Sequence, residues 1–337
     1  MPRPRTLITA RFDRGIASSL ERVAEAELRG WEEGRLDTDA LVSALAGVQI
    51  LVTEIDQVDE ALLTQSPDLR AVITCRGSPV NIDVEACTAR GVAALNTPGR
   101  NASGVADLAV GFILACERHI VSASVLLHEG GWTRGDRREL YGRFSARDMD
   151  EVTVGLVGFG AVGRALAKRL RGFGTRVLVF DPYIPQEVFA EHGVVRSDLD
   201  VVLAESDFVS LHVHVTPETR HMIGARELGL MKPTACLINT GRSGAADQEA
   251  MQKALQEGRL AGAALDVYDE EPLPVDSPLR ALDNVILTPY IGGATTGPVR
   301  VQSEIVREQI TAMVQGKEPP HLLNAEAAAG ALLGLRG

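Results

Sequence analysis

A glycine-rich segment near the middle of the chain has the residue types and spacing of a phosphate-binding turn. The apolar run Thr153–Val157 leads into Gly158, Gly160 and Gly163, and a helical pattern follows without a break. In such a turn the first glycine permits a tight bend, the second lets the backbone approach a pyrophosphate, and the third allows close helix–strand packing. The start of the helix offers amide groups to the anion. The segment therefore predicts a dinucleotide site.

An aspartate beyond this turn indicates which dinucleotide is bound. A second strand is predicted at Arg176–Phe180, and Asp181 follows it, about 20 residues after Gly158. A carboxylate at that place accepts from both ribose hydroxyls and repels a 2′-phosphate, and Pro182 brings no arginine to hold one. The pattern favours NAD over NADP. The alternative is a glycine-rich turn followed by an unrelated surface aspartate.

Polar side chains follow three later predicted strands, where ligands collect in parallel α/β sheets. They are Arg242, then Asp266 with Glu271, then Tyr290. An arginine binds a carboxylate with two nitrogens and polarises a carbonyl, and a carboxylate beside an acid–base group orients it and tunes its pKa. Each residue taken singly fits an ordinary loop or core position. Their joint placement after successive strands, beside a dinucleotide site, instead predicts a functional site that binds a carboxylate or carbonyl group and carries an acid–base residue.

These residues need a parallel sheet to position them, and the sequence has the pattern of one. Short β-branched runs alternate with longer amphipathic stretches, as in βαβ units. The predicted strands are Thr6–Ala10, Gln49–Val52, Arg70–Thr74, Val152–Val157, Arg176–Phe180, Phe208–His212, Ala235–Asn239, Gly262–Asp266 and Val285–Thr288. The predicted helices include Ser19–Glu27, Thr38–Leu45, Asp59–Leu63, Gly104–His119, a helix capped by Asp247, and Pro298–Gln315.

Length and composition limit the classes of protein to which this chain can belong. A chain of 337 residues holds about two domains, and the two long connecting helices suggest that one domain is inserted into the other. The formal net charge of −11, without a Lys/Arg run, disfavours nucleic acid and membrane surfaces as partners. With 4% aromatic residues, the core is predicted to be aliphatic. The tail Ala325–Gly337, rich in Ala, Gly and Leu, is predicted to be loosely ordered.

Targeting signals and metal motifs are not evident. The most apolar run, Leu108–Cys116, is half the length of a membrane span and predicts a buried helix segment. The N-terminal segment has no signal-peptide pattern, so a cytoplasmic protein is expected. The four cysteines have no CxxC or ligand spacing, which predicts reduced, structural thiols and no metal site.

Together the motifs resemble the D-isomer-specific 2-hydroxyacid dehydrogenases, a family that includes 3-phosphoglycerate dehydrogenase. The resemblance runs from about Asp68 to Asn324, through the segments SPVNIDVEACTARGVAALNTPGRN, VGLVGFGAVGRALAKRL, TPETRHMI, INTGRSGAAD, LDVYDEEPL and TPYIGGAT. It implies an α/β fold of two Rossmann-like, doubly wound parallel-sheet domains. An NAD-binding domain at residues 104–296 would be inserted into a substrate-binding, flavodoxin-like domain made of residues 1–103 and 297–337. The family also implies a cleft between the domains and a homodimer.

The resemblance implies roles for individual residues. Arg242 looks like the arginine that binds the substrate carboxylate and carbonyl, and Glu271 looks like the carboxylate that partners the acid–base residue. Asp266 is similar to the aspartate near the nicotinamide carboxamide. Substrate-carboxylate binding by backbone amides is implied for the loop of Arg76, Gly77 and Ser78. NAD contacts are implied for Gly158, Gly160, Ala161, Val162, Asp181, His212, Thr216, Thr240, Asp266 and Gly292.

Tyr290 departs from the family, because the acid–base histidine falls at this position and no other histidine fits it by motif. A tyrosine is ordinarily protonated at neutral pH, so it can donate a proton during carbonyl reduction. As a base it would have to be a phenolate, which Arg242 favours and Glu271 opposes. Tyr290 is therefore the predicted acid–base group. The alternative is that Tyr290 lines the pocket while water or another residue moves the proton.

Two arginines are a second departure and leave the substrate open. Arg76 stands where such loops usually carry small residues, and Arg100 lies in the NTPGRN segment. They are either extra cations for a second anionic group or solvated loop residues. The leading hypothesis is an NAD-dependent oxidoreductase of a small anionic 2-hydroxy acid or 2-keto acid. One alternative is a dehydrogenase of a phosphate- or phosphonate-bearing alcohol. Another is an NAD(H)-binding redox sensor or scaffold without turnover, which the missing histidine favours and Arg242 with Glu271 disfavours.

Overall fold

The computed structural model describes residues 3–29, 36–132 and 137–326. The chain forms two compact units. One, Ala102–Thr295, is called the central unit here. The other combines both ends of the chain, Met1–Asn101 and Thr296–Gly337, and is called the terminal unit. Residues 327–337 of the tail that was predicted to be loosely ordered lie outside the described residues.

The terminal unit is built on a five-stranded parallel sheet. Its strands are β1 (Arg5–Ile8), β2 (Glu25–Leu28), β3 (Ile50–Thr53), β4 (Ala71–Thr74) and β5 (Ala93–Asn96), in the order β2-β1-β3-β4-β5. The described helices that connect them are α1 (Arg14–Leu20), α2 (Thr38–Ala44), α3 (Glu60–Gln65) and α4 (Val84–Ala89). Every residue of β3, β4 and β5 is buried, as expected for a sheet covered on both faces. This strand order is that of a flavodoxin-like, doubly wound sheet.

One predicted element of this unit is wrong. The helix expected at Ser19–Glu27 is absent, because α1 already ends at Leu20 and Glu25–Leu28 pairs with β1 as the edge strand β2. The edge strand carries two glutamates and is mostly exposed, so it lacks the apolar alternation that identifies a strand in a sequence. Its helix-favouring residues are overridden by pairing with a buried neighbour strand.

The central unit is built on a seven-stranded parallel sheet in the order β12-β11-β10-β9-β6-β7-β8. The strands are β6 (Thr153–Val157), β7 (Arg176–Phe180), β8 (Val195–Arg196), β9 (Phe208–Leu211), β10 (Cys236–Asn239), β11 (Gly262–Leu265) and β12 (Val285–Leu287). Its helices are α5 (Ala102–Glu117), α6 (Ile120–His128), α7 (Arg137–Arg143), α8 (Ala161–Leu170), α9 (Gln186–Glu191), α10 (Leu199–Glu205), α11 (Ala225–Leu230) and α12 (Gln248–Gln256). The strand order reverses between β6 and β9, and ligands of such sheets bind at the carboxyl ends beside this point.

The prediction of an α/β fold with two doubly wound parallel sheets is confirmed. The nine strands predicted from the sequence all occur, with ends displaced by at most one or two residues. Asp247 caps α12 by accepting from the Ala250 amide, as expected. The chain returns to the terminal unit in α13 (Gly297–Val314), whose Val306, Ile310 and Met313 enter the core of that unit.

The four cysteines are free, and Cys75 and Cys87 are buried. Among the described residues no single helix has the length and apolar character needed to cross a membrane; only α5 and α6 taken together, bent by 64°, meet that test on length and composition.

Candidate active site

The glycine turn between β6 and α8 has the geometry of a phosphate cradle. Gly158 has φ +96°, and a Cβ there would lie 2.7 Å from the carbonyl oxygen of His212. A Cβ on Gly163 would lie 2.5 Å from the carbonyl oxygen of Gly158. The start of α8 therefore packs so close to the turn that only glycine fits at position 163. Around Gly160 nothing lies within 4 Å of a Cβ position. The second glycine therefore leaves open space for a ligand.

Free amides face this space. Among the described residues, the N–H groups of Gly160, Ala161 and Val162 donate to no partner, and Gly160 caps α8 without a side-chain hydrogen bond. The first amides of a helix and its dipole together attract anions. The predicted residues Gly160, Ala161 and Val162 are thus suited to a pyrophosphate.

Asp181 is held at the edge of the same turn. Its Oδ2 accepts from the Phe159 amide at 2.8 Å, and its Oδ1 accepts from the Tyr183 amide at 3.0 Å. Each carboxylate oxygen has a further lone pair to accept from a ribose hydroxyl. This arrangement joins the ribose-binding carboxylate to the phosphate turn in one hydrogen-bonded unit.

Two buried polar atoms at the neighbouring strand ends have no partner among the described residues: Nε2 of His212 and Oγ1 of Thr240. They come side by side because Leu211 of β9 pairs with Asn239 of β10. Burial lowers the pKa of His212 to about 4, so the ring is neutral at physiological pH. Unsatisfied buried polar atoms are rare and point to a missing partner. The turn, Asp181 and these two atoms together fit NAD.

Arg242 lies on a turn that follows β10 and is fixed by Asn239. The Asn239 side chain accepts from the Gly241 amide at 3.1 Å and donates to the Arg242 carbonyl at 3.0 Å. The Arg242 guanidinium donates through Nη1 to the Gly241 carbonyl at 2.8 Å and to Tyr290 Oη at 3.4 Å. Two of the predicted catalytic residues therefore meet. Asn239 was not predicted, although a polar residue at the end of a buried strand is the signal that could have identified it.

Asp266 holds the loop that carries Tyr290. Its fully buried carboxylate accepts from Thr288 Oγ1 at 2.5 Å and from the amides of Ile291 and Gly292 at 2.8 and 2.7 Å. Tyr290 itself has a left-handed φ of 57° and a side chain that is 54% exposed. The structure thus shows Asp266 as the anchor of this loop, a role that the sequence motifs did not indicate.

Glu271 and Thr216 are placed differently from Arg242. Glu271 is exposed and accepts from the Tyr268 amide at 3.1 Å, and within the described chain it makes no hydrogen bond to Tyr290. Thr216 is exposed in a turn after β9, where its hydroxyl donates to Glu218 at 2.7 Å. Their predicted roles remain predictions.

The loop after β4 in the terminal unit presents unpaired amides. The Arg76 carbonyl accepts from the Thr97 amide at 3.0 Å, and the Gly77 carbonyl accepts from Asn96 Nδ2 at 2.6 Å. Neither the Gly77 nor the Ser78 amide donates to any other described residue. With the carbonyls tied back in this way, the two amides are suited to a carboxylate.

Arg76 and Arg100 belong to a cluster around Glu54, which is buried after β3. Glu54 Oε1 pairs with Arg11 at 3.2 Å and with Arg100 at 3.0 Å, and its backbone carbonyl accepts from Arg76 Nε at 2.6 Å. Arg100 also donates to Gln302 Oε1 at 2.7 Å. The charge of Arg100 is therefore compensated within the protein. Arg11 and Glu54 were not predicted, since no motif marks them.

Comparisons with known proteins agree with this geometry. Residues 110–292 match the family model of the D-isomer specific 2-hydroxyacid dehydrogenase, NAD binding domain. The chain is 38% identical over 326 residues to the glyoxylate reductase of Thermococcus litoralis, covering 96% of this chain and 98% of that one. It is 35% identical to the D-3-phosphoglycerate dehydrogenase of Methanocaldococcus jannaschii, over 94% of this chain and 59% of that one.

A similar solved structure is apo D-mandelate dehydrogenase of Rhodotorula graminis. It has a TM-score of 0.81 and 25% sequence identity, and the similarity covers 95% of this chain and 97% of that one. The family match covers the glycine turn, Asp181, Arg242 and Tyr290 alike. The chain thus belongs to the D-isomer-specific 2-hydroxyacid dehydrogenases and is an NAD-dependent oxidoreductase of 2-hydroxy acids and 2-keto acids.

Proposed function

We propose that Arg242 and Tyr290 carry the reaction, with Tyr290 as the acid–base group in the place of the family's histidine. The observation that supports this is the 3.4 Å contact between Arg242 Nη1 and Tyr290 Oη. It puts a proton donor next to the cation that would hold the substrate's carboxylate and carbonyl. A sensor without turnover would need neither group.

Each residue has a definite part in the reduction of a 2-keto acid. The Arg242 guanidinium binds the carboxylate and polarises the carbonyl, so that negative charge developing on the carbonyl oxygen is stabilised. Tyr290 Oη donates a proton to that oxygen as the carbonyl becomes an alcohol. The glycine turn and Asp181 would hold NADH, which would supply the hydride for the carbonyl carbon. In oxidation the proton would move the other way, from the substrate hydroxyl to Tyr290 Oη.

Glu271 is proposed to be the carboxylate that partners the acid–base group, as the family resemblance implies. Asp266 is proposed to hold the loop of Tyr290 in place. The amides of Gly77 and Ser78, with Arg76 and Arg100 beside them, are proposed to contribute to substrate binding. Their support is the pair of free amides after β4.

The proposed substrates are short, anionic 2-keto acids and the matching 2-hydroxy acids. Glyoxylate is the first candidate, because the Thermococcus litoralis relative is a glyoxylate reductase that matches nearly the whole chain. A phosphate- or phosphonate-bearing substrate is the second candidate. It is supported by Arg76, whose terminal nitrogens have no partner among the described residues.

The test follows NADH absorbance with a panel of 2-keto acids, including glyoxylate, pyruvate and phosphohydroxypyruvate. Wild type is expected to oxidise NADH with at least one of them. Arg242→Gln is expected to lower kcat/KM by about 100-fold or more, because it removes a charge-assisted bond to the reacting group. NADH bound tightly but never oxidised would contradict the proposal. An Arg242→Gln variant as active as wild type would contradict the role of the arginine.

A homodimer in the cytoplasm is also proposed. The dimer is supported by α6, in which no residue is buried although the helix is apolar. Ile120, Val121, Val125 and Leu127 are all exposed there. Such a surface is expected to be covered by a second copy, since monomers rarely leave a continuous apolar patch in water. The cytoplasmic location is supported by the four unpaired cysteines.

A further inference from the structure

A second arginine, Arg220, lines the same hollow as Arg242 in the central unit. A hollow of about 340 Å³ is lined by Val215, Arg220, His221, Arg242, Ser243, Gly244 and Asp269. These residues come from the loops that follow β9, β10 and β11. The proposed reaction uses neither Arg220 nor His221.

The two loops that carry the arginines are fastened to each other. The His221 amide donates to the Gly244 carbonyl at 2.8 Å, and Ile223 forms a parallel bridge with Ala246. A Cβ on Gly244 would lie 3.4 Å from Val215 Cγ2 and 3.8 Å from Arg220 Nη1, so the glycine lies next to both of these side chains. The hollow is therefore a fixed feature of the central unit.

The charge in this hollow is not balanced. In the described residues, no carboxylate lies within ion-pair distance of Arg220 or of Arg242, and Asp269 is the one acidic side chain that lines the hollow. The cluster in the terminal unit differs, because Arg11 and Arg100 share the buried carboxylate of Glu54. An arginine without a partner gains more from an incoming anion than one that is already paired.

We propose that this hollow binds a second anionic group, a carboxylate or a phosphate, at the far end of the substrate. Arg242 holds the first carboxylate, Arg220 pairs with the distal anion, and His221 and Ser243 hydrogen-bond to it. The substrate class is then a dianionic 2-keto acid. This inference rests on the proposed function, since Arg242 must bind the substrate for the two groups to be linked.

The test compares kcat/KM for dianionic and monoanionic 2-keto acids, with oxaloacetate and 2-ketoglutarate against pyruvate and 2-ketobutyrate. Arg220→Gln is expected to lower the dianion-to-monoanion ratio on the order of 10- to 100-fold, the effect of losing one hydrogen bond to a charged group. Pyruvate turnover should change less than about twofold. The matched control is Arg226→Gln on α11, whose arginine is exposed and pairs with Asp200 at 2.9 Å. This variant is expected to keep the wild-type ratio.

Three results would overturn the inference. The first is an unchanged ratio in Arg220→Gln. The second is a ratio lost in Arg76→Gln and kept in Arg220→Gln, which would move the second anion to the terminal unit. The third is inorganic phosphate binding that depends on Arg220 and does not compete with oxaloacetate, which would indicate a site for a free anion that the substrate does not occupy.

A separate measurement distinguishes this inference from the proposed function. Succinate, an unreactive dianion, is titrated calorimetrically into the protein with NADH. It is expected to bind to wild type and to bind at least about tenfold more weakly to Arg220→Gln. If no 2-keto acid is turned over, the proposed function fails, and succinate binding still decides whether the hollow takes a dianion. Equal binding by both proteins would overturn the inference.

Discussion

At the scale of residues, the proposed reaction depends on the contact between Tyr290 and Arg242. A phenol ordinarily keeps its proton near neutral pH, whereas an imidazole is mostly unprotonated there, so a tyrosine in the histidine's place is ready to donate a proton but must first be ionised to accept one. The protein is therefore expected to be a better reductase than dehydrogenase near neutral pH. Neighbouring residues are arranged to keep this contact: Asn239 fixes the turn of Arg242, and Asp266 fixes the loop of Tyr290.

Asp181 gives a prediction about cofactor choice at the same scale. Replacing it by Ser removes the negative charge that repels a 2′-phosphate and leaves a small hydroxyl beside the ribose. The ratio of kcat/KM with NADPH to that with NADH should rise about tenfold or more, the effect of one charge pair. The ratio is measured with one 2-keto acid at saturating concentration. Asp200→Ser, on the exposed start of α10, is the control and should leave it unchanged. An unaltered ratio in Asp181→Ser would contradict ribose binding by this carboxylate.

At the scale of elements, the carboxyl end of β9 makes stability depend on pH. Burial lowers the pKa of His212 from its ordinary 6.5 to about 4, so below pH 6.5 the unfolded chain takes up a proton that the folded chain refuses. The contribution of the neutral His212 ring to the free energy of unfolding is complete above pH 6.5 and is lost as the pH falls towards 4. The loss amounts to about 3 kcal/mol at most.

This is checked by urea unfolding, followed by circular dichroism, between pH 4 and 7.5. Wild type should lose stability steadily below pH 6.5. His212→Asn cannot take up the proton, so its stability curve should be flatter over that range. His321→Asn, at an exposed position of the terminal unit, serves as the control and should follow wild type. Parallel curves for wild type and His212→Asn would show that the histidine is not held neutral by burial.

Most elements could be predicted from the sequence because parallel strands that are buried on both faces are short apolar runs between amphipathic helices. The strand β2 could not, since an exposed edge strand with two glutamates has no such pattern. The glycine turn and Asp181 were predictable because both lie close together in the sequence. The pairing of Arg11 with Glu54 was not, because it joins residues after two different strands and depends on the packing of the sheet.

At the scale of the whole molecule, α6 predicts the oligomeric state. Val125→Glu puts a charge into the middle of its exposed apolar surface, and burying that charge in a dimer would cost several kcal/mol. Light scattering after gel filtration should give a dimer for wild type and a monomer for the variant. Val275→Glu is the matched control, because Val275 is 92% exposed in a loop. It should remain dimeric. A monomeric wild type, or a dimeric Val125→Glu, would contradict the proposed interface.

The pH dependence of kcat in both directions, compared between wild type, Tyr290→Phe and Tyr290→His, decides whether Tyr290 transfers the proton. With Tyr290 as the acid–base group, wild-type oxidation should rise towards high pH, because a phenol accepts a proton only after it has lost its own. Tyr290→Phe should lose about 100-fold or more in kcat while binding NADH as before. Tyr290→His should regain activity, with the rise in oxidation moved towards about pH 6.5. A Tyr290→Phe enzyme with the wild-type rate and pH profile would contradict the claim.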